Sequence, residues 1–289
     1  MDTISNGVLS LEVNPVGAEL HALSGAGAPE GGWLWDGGAA WPRRAPLCFP
    51  WCGKLKDGWY EAGGVRYEGP QHGFARDMVH TLTEREDRRL AYRLASGPET
   101  ERCYPWPFTL DTVHTLEGQS VKTVCTVTNT GREPMPVQLG FHTGLRCPFS
   151  PGRAVTDYLV RFEQAECPRK VLCRAGLVTG EEIPVFTGQA EIPLEPHLFD
   201  EDSICLKGLR SAWVQLEERD TGRALRLDIS GFDRVLLWSQ PGIPGFLCIE
   251  PWCGLPSRED GKHDLFQRPC AHTLAPGGTF SRTQRLTVI

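Results

Sequence analysis

Two side chains that could exchange protons stand in strand-like segments of the sequence. Glu250 ends the apolar run of residues 246–249. Burying a carboxylate without a partner is costly, so a carboxylate in this position often has a shifted pKa and a catalytic task. The alternative is a strand-end carboxylate that reaches solvent.

His142 is the second of these side chains. Residues 137–142 alternate along a strand, so Val137, Leu139 and Phe141 share one face. His142 shares the other face with a glutamine and a glycine. A polar face with a glycine and a histidine suits a ligand groove on a sheet, and a solvated strand edge is the alternative.

A short loop offers further polar groups. His72 and Arg76 bracket Gly-Phe-Ala in residues 70–76, where an imidazole and a guanidinium can face a small polar ligand. A capping histidine and a surface arginine are the alternative. Trp252, close to Glu250, offers the flat apolar surface that a sugar ring would contact.

The eleven cysteines include a repeated Pro-Trp-Cys-Gly segment. Cys48, Cys52, Cys248 and Cys253 could supply four thiolates to zinc, but their spacings are wider than the usual two-residue zinc knuckle. We therefore predict buried thiols and no metal. An odd, scattered set of cysteines without a secretory signal predicts reduced thiols in a cytoplasmic protein.

The elements that must position these groups are strands. Two alternating runs, residues 108–116 and 121–128, predict a hairpin, and residues 214–216 and 224–229 predict another. No sustained helical period occurs, so the sequence predicts an all-β antiparallel sandwich that forms a single domain over residues 1–289. The remaining predicted strands are residues 8–13, 235–238, 246–250 and 280–288.

Composition excludes several classes of function. Of 289 residues, 40% are hydrophobic and 23% charged, which is typical of a globular protein. The net charge of −6 gives no electrostatic reason to bind nucleic acid or an anionic membrane. The glycine motifs of nucleotide-binding folds, the His-Glu-x-x-His of zinc proteases and the Gly-x-Ser-x-Gly of serine hydrolases do not occur in the sequence.

Several short motifs occur in a fixed order along the chain, at residues 14–20, 33–36, 43–50, 71–76, 140–142, 147–149 and 250–252. This ordered set resembles the aldose 1-epimerase (galactose mutarotase) family, in particular the branch whose loop reads His-Gly-Phe-Ala-Arg. The resemblance implies a galactose-mutarotase-like supersandwich with an open sugar-binding groove, and neither a metal nor a cofactor.

By position, the resemblance implies that Glu250 is the general base, His142 the general acid and His72 a second active-site histidine. These roles require a charged Glu250 and a protonated His142 before ring opening. The residues predicted to bind substrate are Arg76, Asp202 (with Asp200 as its rival), Arg44, Lys54 and Trp252.

Three departures from the family pattern bear on the substrate. Lys54 stands where the family often has arginine, and an ammonium cannot form a bidentate fork. Thr143-Gly144 replaces a common Pro-Ala, and Arg146 replaces a neutral polar residue.

The expected function is aldose 1-epimerase, an isomerase that interconverts the α and β anomers of a hexose by acid/base ring opening. A phosphorylated hexose such as glucose-6-phosphate is an alternative, if Arg44, Lys54, Arg76 and Arg146 converge on a phosphate. A carbohydrate-binding module without activity is another, although a pure binder needs no acid/base pair. The expected partner is a small sugar, and the protein would be a monomer or homodimer.

Overall fold

A computed structural model describes residues 1–25 and 27–289 and consists mostly of β-strands. The first twelve strands are β1 (Asp2–Ser5), β2 (Leu9–Asn14), β3 (Glu19–Gly25), β4 (Leu47–Cys48), β5 (Trp59–Ala62), β6 (Val65–Glu68), β7 (Thr81–Glu86), β8 (Arg89–Ala95), β9 (Phe108–Glu117), β10 (Ser120–Asn129), β11 (Met135–Val137) and β12 (Leu139–Phe141). The next twelve are β13 (Thr143–Cys147), β14 (Tyr158–Glu166), β15 (Arg169–Arg174), β16 (Leu177–Pro184), β17 (Gln189–Pro193), β18 (Ile204–Lys207), β19 (Trp213–Glu218), β20 (Ala224–Asp228), β21 (Arg234–Trp238), β22 (Gly245–Cys253), β23 (His272–Leu274) and β24 (Thr279–Val288).

Helical segments are short. The α-helix α1 spans Pro98–Glu101, and 3₁₀ turns span Lys56–Gly58, Ala75–Asp77, Val155–Asp157 and Leu265–Gln267. Within the described residues, no helical segment has the length and hydropathy that a bilayer crossing requires.

Two large antiparallel sheets dominate the architecture. One has nine strands in the order β17-β14-β19-β20-β24-β10-β9-β8-β7. The other has the order β16-β15-β18-β21-β22-β12-β4, with β13 also paired to β22. The prediction of an all-β antiparallel sandwich is confirmed.

The core lies between these sheets. Buried Val160 and Leu225 from the nine-stranded sheet belong to the same cluster as Leu237 and Ile249 from the eight-stranded sheet. Fully burying one such side chain contributes about 1.5–3 kcal/mol, so this cluster fixes how the sheets face each other.

Both predicted hairpins form. β9 pairs with β10 in a register that sets Val121 opposite Leu116, and β19 pairs with β20. β22 runs three residues beyond the predicted end at Glu250. It continues past Pro251 because its pairing with β21 extends as far as Trp252. The carbonyl of Trp252 also accepts the backbone N–H of Asp233 at 3.0 Å. Trp252 and Glu250 therefore share one face of one strand.

Candidate active site

A cavity of about 300 Å³ lies on one face of the eight-stranded sheet. Strands β15, β18, β21 and β22 supply its floor, and loops supply its walls. Its volume is at the lower end of the range of small-ligand pockets. The lining residues used below are Trp41, Arg43, Gln71, His72, Arg76, His142, Asp202, Trp238, Glu250 and Trp252.

Strand register places His142 opposite Glu250. β12 sets Gly140 opposite Trp252, and β13 sets Thr143 opposite Ile249. The same register, continued between these pairs, brings His142 and Glu250 face to face. His142 Nε2 and Glu250 Oε2 are 3.3 Å apart, and the residues are 7% and 2% exposed.

The side-chain alternation expected around His142 is confirmed, and Gly140 has a specific role in it. A Cβ atom on Gly140 would lie 2.5 Å from Trp252 Cδ1 and 3.0 Å from Cys52 Sγ. Only glycine leaves room for the indole at this position. Trp252 Nε1, the ring atom next to Cδ1, donates a hydrogen bond to the carbonyl of Phe141 at 3.2 Å.

Burial decides where the proton of the His142–Glu250 pair resides. Burial lowers the pKa of His142 to about 3, with a further contribution from Arg76. Burial also raises the pKa of Glu250 well above its usual value. Both shifts favour a neutral carboxylic acid beside a neutral imidazole. The unliganded pair therefore holds one proton, with the opposite distribution from the charged pair that the family resemblance implies.

The His72 ring is held in place through both of its nitrogens. The backbone N–H of Gly53 donates to His72 Nδ1 at 3.1 Å, and the thiol of Cys48 lies 3.3 Å from the same atom. His72 Nε2 lies 3.1 Å from the side-chain amide nitrogen of Gln71, so both ring nitrogens have polar neighbours within the protein. Burial lowers the pKa of His72 well below its usual value. The residue has a φ of 66°, a left-handed conformation uncommon outside glycine.

Two tryptophans that the sequence analysis missed fix the His142 ring. Trp41 stacks on it with centroids 5.0 Å apart, and Trp238 meets it edge-on at 5.7 Å. A Cβ on Gly144 would lie 2.8 Å from Trp41 Cζ3. The departure Thr143-Gly144 thus makes space for Trp41, and no pattern in the sequence linked these two segments.

Two arginines reach the cavity and share one carboxylate. Arg43 Nη2 lies 2.9 Å from Asp77 Oδ1, and Arg76 Nε lies 3.6 Å from Asp77 Oδ2. Arg76 Nη2 also donates to the carbonyl of Gln71 at 2.6 Å. Arg43 was part of a recognised motif but was not selected as a site residue.

The predicted groove residues Arg44 and Lys54 do not line the cavity. The carboxylate of Glu19 accepts the backbone N–H of Arg44 at 3.0 Å, and Arg44 Nη1 donates to the carbonyl of His21 at 3.1 Å. These bonds turn Arg44 away, so Arg43 faces the cavity instead. Lys54 Nζ donates to the carbonyl of Ala175 at 3.1 Å, behind the cavity rim.

The other predicted site residues also divide into those that line the cavity and those that do not. Asp202 lines the cavity, whereas its rival Asp200 binds His197 Nδ1 at 2.8 Å. Arg146 donates to the carbonyls of Gly31 and Gly32. The four cations considered for a phosphate site therefore do not converge, because only Arg76 lines the cavity.

The cysteines are free thiols. Within the described residues, Cys48, Cys52, Cys248 and Cys253 do not form a joint metal-ligand cluster. Cys248 does lie with His142 and Glu250, all ligand atoms being within 4.8 Å of one another. Burial raises the pKa of Cys248 well above its usual value, which disfavours the thiolate that a metal would need.

Fold and site together define a β-sandwich protein with a proton-sharing pair at the floor of an aromatic-walled cavity. The sequence profile of the aldose 1-epimerase family matches residues 2–286, so the chain belongs to that family. This confirms the family expectation drawn from the motifs.

Individual relatives agree along the full chain. Protein LacX of Lactococcus lactis subsp. lactis is 28% identical over 300 residues, covering 99% of this chain and 98% of that protein. A galactose mutarotase-like protein from Lactobacillus casei is 26% identical, with a TM-score of 0.91 and full coverage of both chains. A galactose mutarotase related enzyme from Lactobacillus acidophilus has 24% identity and a TM-score of 0.94, covering 100% of this chain and 97% of that one. The galactose-mutarotase-like fold is confirmed.

Proposed function

We propose that this chain is an aldose 1-epimerase that interconverts the α and β anomers of a hexose. The observation that carries the proposal is the His142–Glu250 pair, 3.3 Å apart on the floor of the cavity. A buried pair that holds one proton is what reversible opening of a hemiacetal requires.

Ring opening removes the proton of the anomeric hydroxyl and adds a proton to the ring oxygen. Rotation about the C1–C2 bond and reclosure on the other face reverse both transfers. In the roles that the family resemblance implies, Glu250 accepts the first proton while His142 donates the second. The single proton of the pair must then stand on His142 when the ring opens. The pair gains one proton and loses one, so it still holds a single proton after opening.

The cavity walls suit a pyranose. Trp41, Trp238 and Trp252 line the cavity and offer apolar contact for C–H groups. Arg76 and Asp202 offer a donor and an acceptor for hydroxyls, and the His72 ring lines the same cavity. Because Arg43 and Arg76 already share Asp77, a neutral sugar fits this set of charges better than a phosphorylated one.

Anomer equilibration tests the proposal directly. Freshly dissolved α-glucose, α-galactose and glucose-6-phosphate are followed by polarimetry with and without protein, and sugar binding is followed by tryptophan fluorescence. We expect faster equilibration of a neutral hexose. Acceleration of glucose-6-phosphate alone would favour the phosphohexose alternative, and binding without any acceleration would favour the binding module.

The pH dependence of turnover tests whether the pair keeps its single proton around neutral pH. When the pair takes up a second proton, that proton binds to His142. Burial lowers the pKa of His142 to about 3. The acidic limb of the pH profile should therefore lie well below the usual imidazole pKa of about 6.5. At high pH the pair loses its only proton from Glu250. Because the pKa of Glu250 is raised, the basic limb of the pH profile shifts to higher pH. We expect kcat/KM to be flat around neutral pH, with limbs that belong to the pair. A steep fall in kcat/KM as the pH rises through about 6.5 would mean that the pair loses its single proton near neutral pH, against the raised pKa of Glu250.

Gly140→Ala should displace the Trp252 indole, because the new Cβ would lie 2.5 Å from Cδ1. A displacement near 1 Å at a reacting site can cost about 100-fold in rate, and overpacking costs about 1–3 kcal/mol of stability. The measurements are kcat/KM and urea unfolding. Gly97→Ala is the matched control, since its Cβ would have nothing within 4 Å. Unchanged turnover in folded Gly140→Ala would remove Trp252 from the proposed mechanism.

A further inference from the structure

A second cluster of possible metal ligands lies on the other face of β22. It consists of Asp233, Cys253 and His272. Cys253 packs in the core cluster with Leu139 and Phe141, whereas Glu250, three residues earlier, faces the cavity. The two groups of residues are therefore separated by the sheet itself.

The ligand atoms of this cluster converge. The carboxylate oxygen, sulfur and ring nitrogen all lie within 4.8 Å of one another. His272 Nε2 and Asp233 Oδ2 are 3.6 Å apart, too far for a good hydrogen bond. Both atoms are fully buried and have no hydrogen-bond partner within the described part of the chain. Buried polar atoms without partners are uncommon, and a bound water or ion is one way to satisfy them.

A cation placed between these atoms would be held by a carboxylate oxygen, a sulfur and a ring nitrogen, each of which is a common transition-metal ligand.

We propose that Asp233, Cys253 and His272 bind one divalent transition-metal ion, with zinc as the best match. A thiolate, an imidazole and a carboxylate are all zinc ligands, and a water molecule would complete a tetrahedral site. On binding, the Cys253 thiol releases a proton to solvent, and His272 binds as the neutral imidazole.

The neighbouring groups are compatible with a bound metal. Arg282 Nε donates to Cys253 Sγ at 2.9 Å, a contact of the kind that outer-shell donors make to metal thiolates. The side chains of His272 and Asp233 are 33% and 35% exposed, which gives an ion a route in. The ion would join the end of β22 to β23 and to the segment before β21. It would stabilise the fold and lie apart from the proposed reaction, for which the family resemblance implies no metal.

Metal titration of the full chain tests this proposal. Chelator-treated protein is titrated with Zn²⁺ in competition with a chromophoric chelator, and with Co²⁺ while the ultraviolet thiolate-to-cobalt charge-transfer band is recorded. We expect one equivalent bound with a thiolate–cobalt band in the wild-type protein. Cys253→Ser should abolish the band, and His272→Asn and Asp233→Asn should each weaken Zn²⁺ binding by at least about 10–100-fold.

Cys125→Ser is the matched control, because Cys125 is a buried thiol hydrogen-bonded to Thr112 and outside either ligand cluster of the described residues. It should keep the full cobalt spectrum. Absence of a thiolate–cobalt band in wild-type protein would overturn the proposal without reference to any variant. A band that survives in Cys253→Ser and disappears in Cys248→Ser would also overturn it, since the ion would then lie beside His142 and Glu250.

Discussion

Glu250→Gln is expected to lower kcat by about 10²–10⁴-fold while sugar binding persists. The carboxamide keeps the size and hydrogen-bonding capacity of the side chain but cannot exchange the proton that Glu250 shares with His142 across 3.3 Å. Anomer exchange by NMR gives the rate, and quenching of tryptophan fluorescence by sugar gives the affinity. The basic limb of the pH profile should disappear with the carboxyl group.

His142→Asn should cause a loss of similar size, because the pair acts as a unit. The double variant should then lose much less than the product of the two single losses. Independent, multiplicative losses would mean that the two residues act on separate steps.

Glu166→Gln is the matched control for this series. Glu166 is a fully buried carboxylate whose Oε1 accepts from Ser211 and from the backbone of Arg210, away from the cavity. Its replacement should lower stability and leave kcat per folded molecule unchanged. Turnover by Glu250→Gln near the wild-type rate would contradict the proposed mechanism.

The part of the site that lies on strands was predictable from the sequence. Alternation fixed the face of His142, and the rarity of a carboxylate in an apolar strand singled out Glu250. The structure then joins them through a register that pairs β12 and β13 with β22. Local patterns decide which face a side chain takes, because the side-chain period of a strand is two.

The loop contributions were less predictable. The motif contained both Arg43 and Arg44, and the choice between them depended on Glu19, whose carboxylate holds the backbone of Arg44 and Ala45. Trp41 reaches His142 only because Gly144, a hundred residues along the chain, leaves space for it. Contacts of this kind depend on tertiary packing and carry no local signal.

The proton distribution was also outside the reach of the sequence. Ordinary pKa values of about 4.3 and 6.5 give a charged glutamate, whereas burial pushes the pKa values of Glu250 and His142 in opposite directions. The degree of burial follows from how the loops close over the sheet, which no single motif specifies.

Arg268→Met is expected to destabilise the fold by about 3–5 kcal/mol, the cost typical of breaking a buried charged network. No sequence motif marked Arg268, yet its guanidinium is buried and donates to three backbone carbonyls, those of Cys52, Lys54 and Leu255. It also donates to Ser257 Oγ at 2.7 Å. Removing these donors takes the hydrogen bonds of Arg268 from the carbonyls of Cys52 and Leu255, at about 1–3 kcal/mol for each carbonyl left unpaired. The carbonyl of Lys54 still accepts the backbone N–H of Ser257 at 3.0 Å. Relief of the buried charge offsets part of that cost, since burial alone lowers the pKa of Arg268 to about 9.

The same bonds connect Arg268 to the cavity, because Gly53 and Leu255 line it. Arg268→Lys keeps the charge but replaces the planar guanidinium by a single ammonium. This variant should retain part of the stability but lose the alignment of the segments around Gly53 and Leu255. Urea unfolding gives the free energies, and kcat/KM measured well below the unfolding transition gives the effect on the site. Arg102→Met is the control, since Arg102 is exposed at the end of α1, and should change stability by less than about 0.5 kcal/mol. If Arg268→Met unfolds at the wild-type urea concentration, the carbonyls find other partners, and Arg268 does not organise this wall of the cavity.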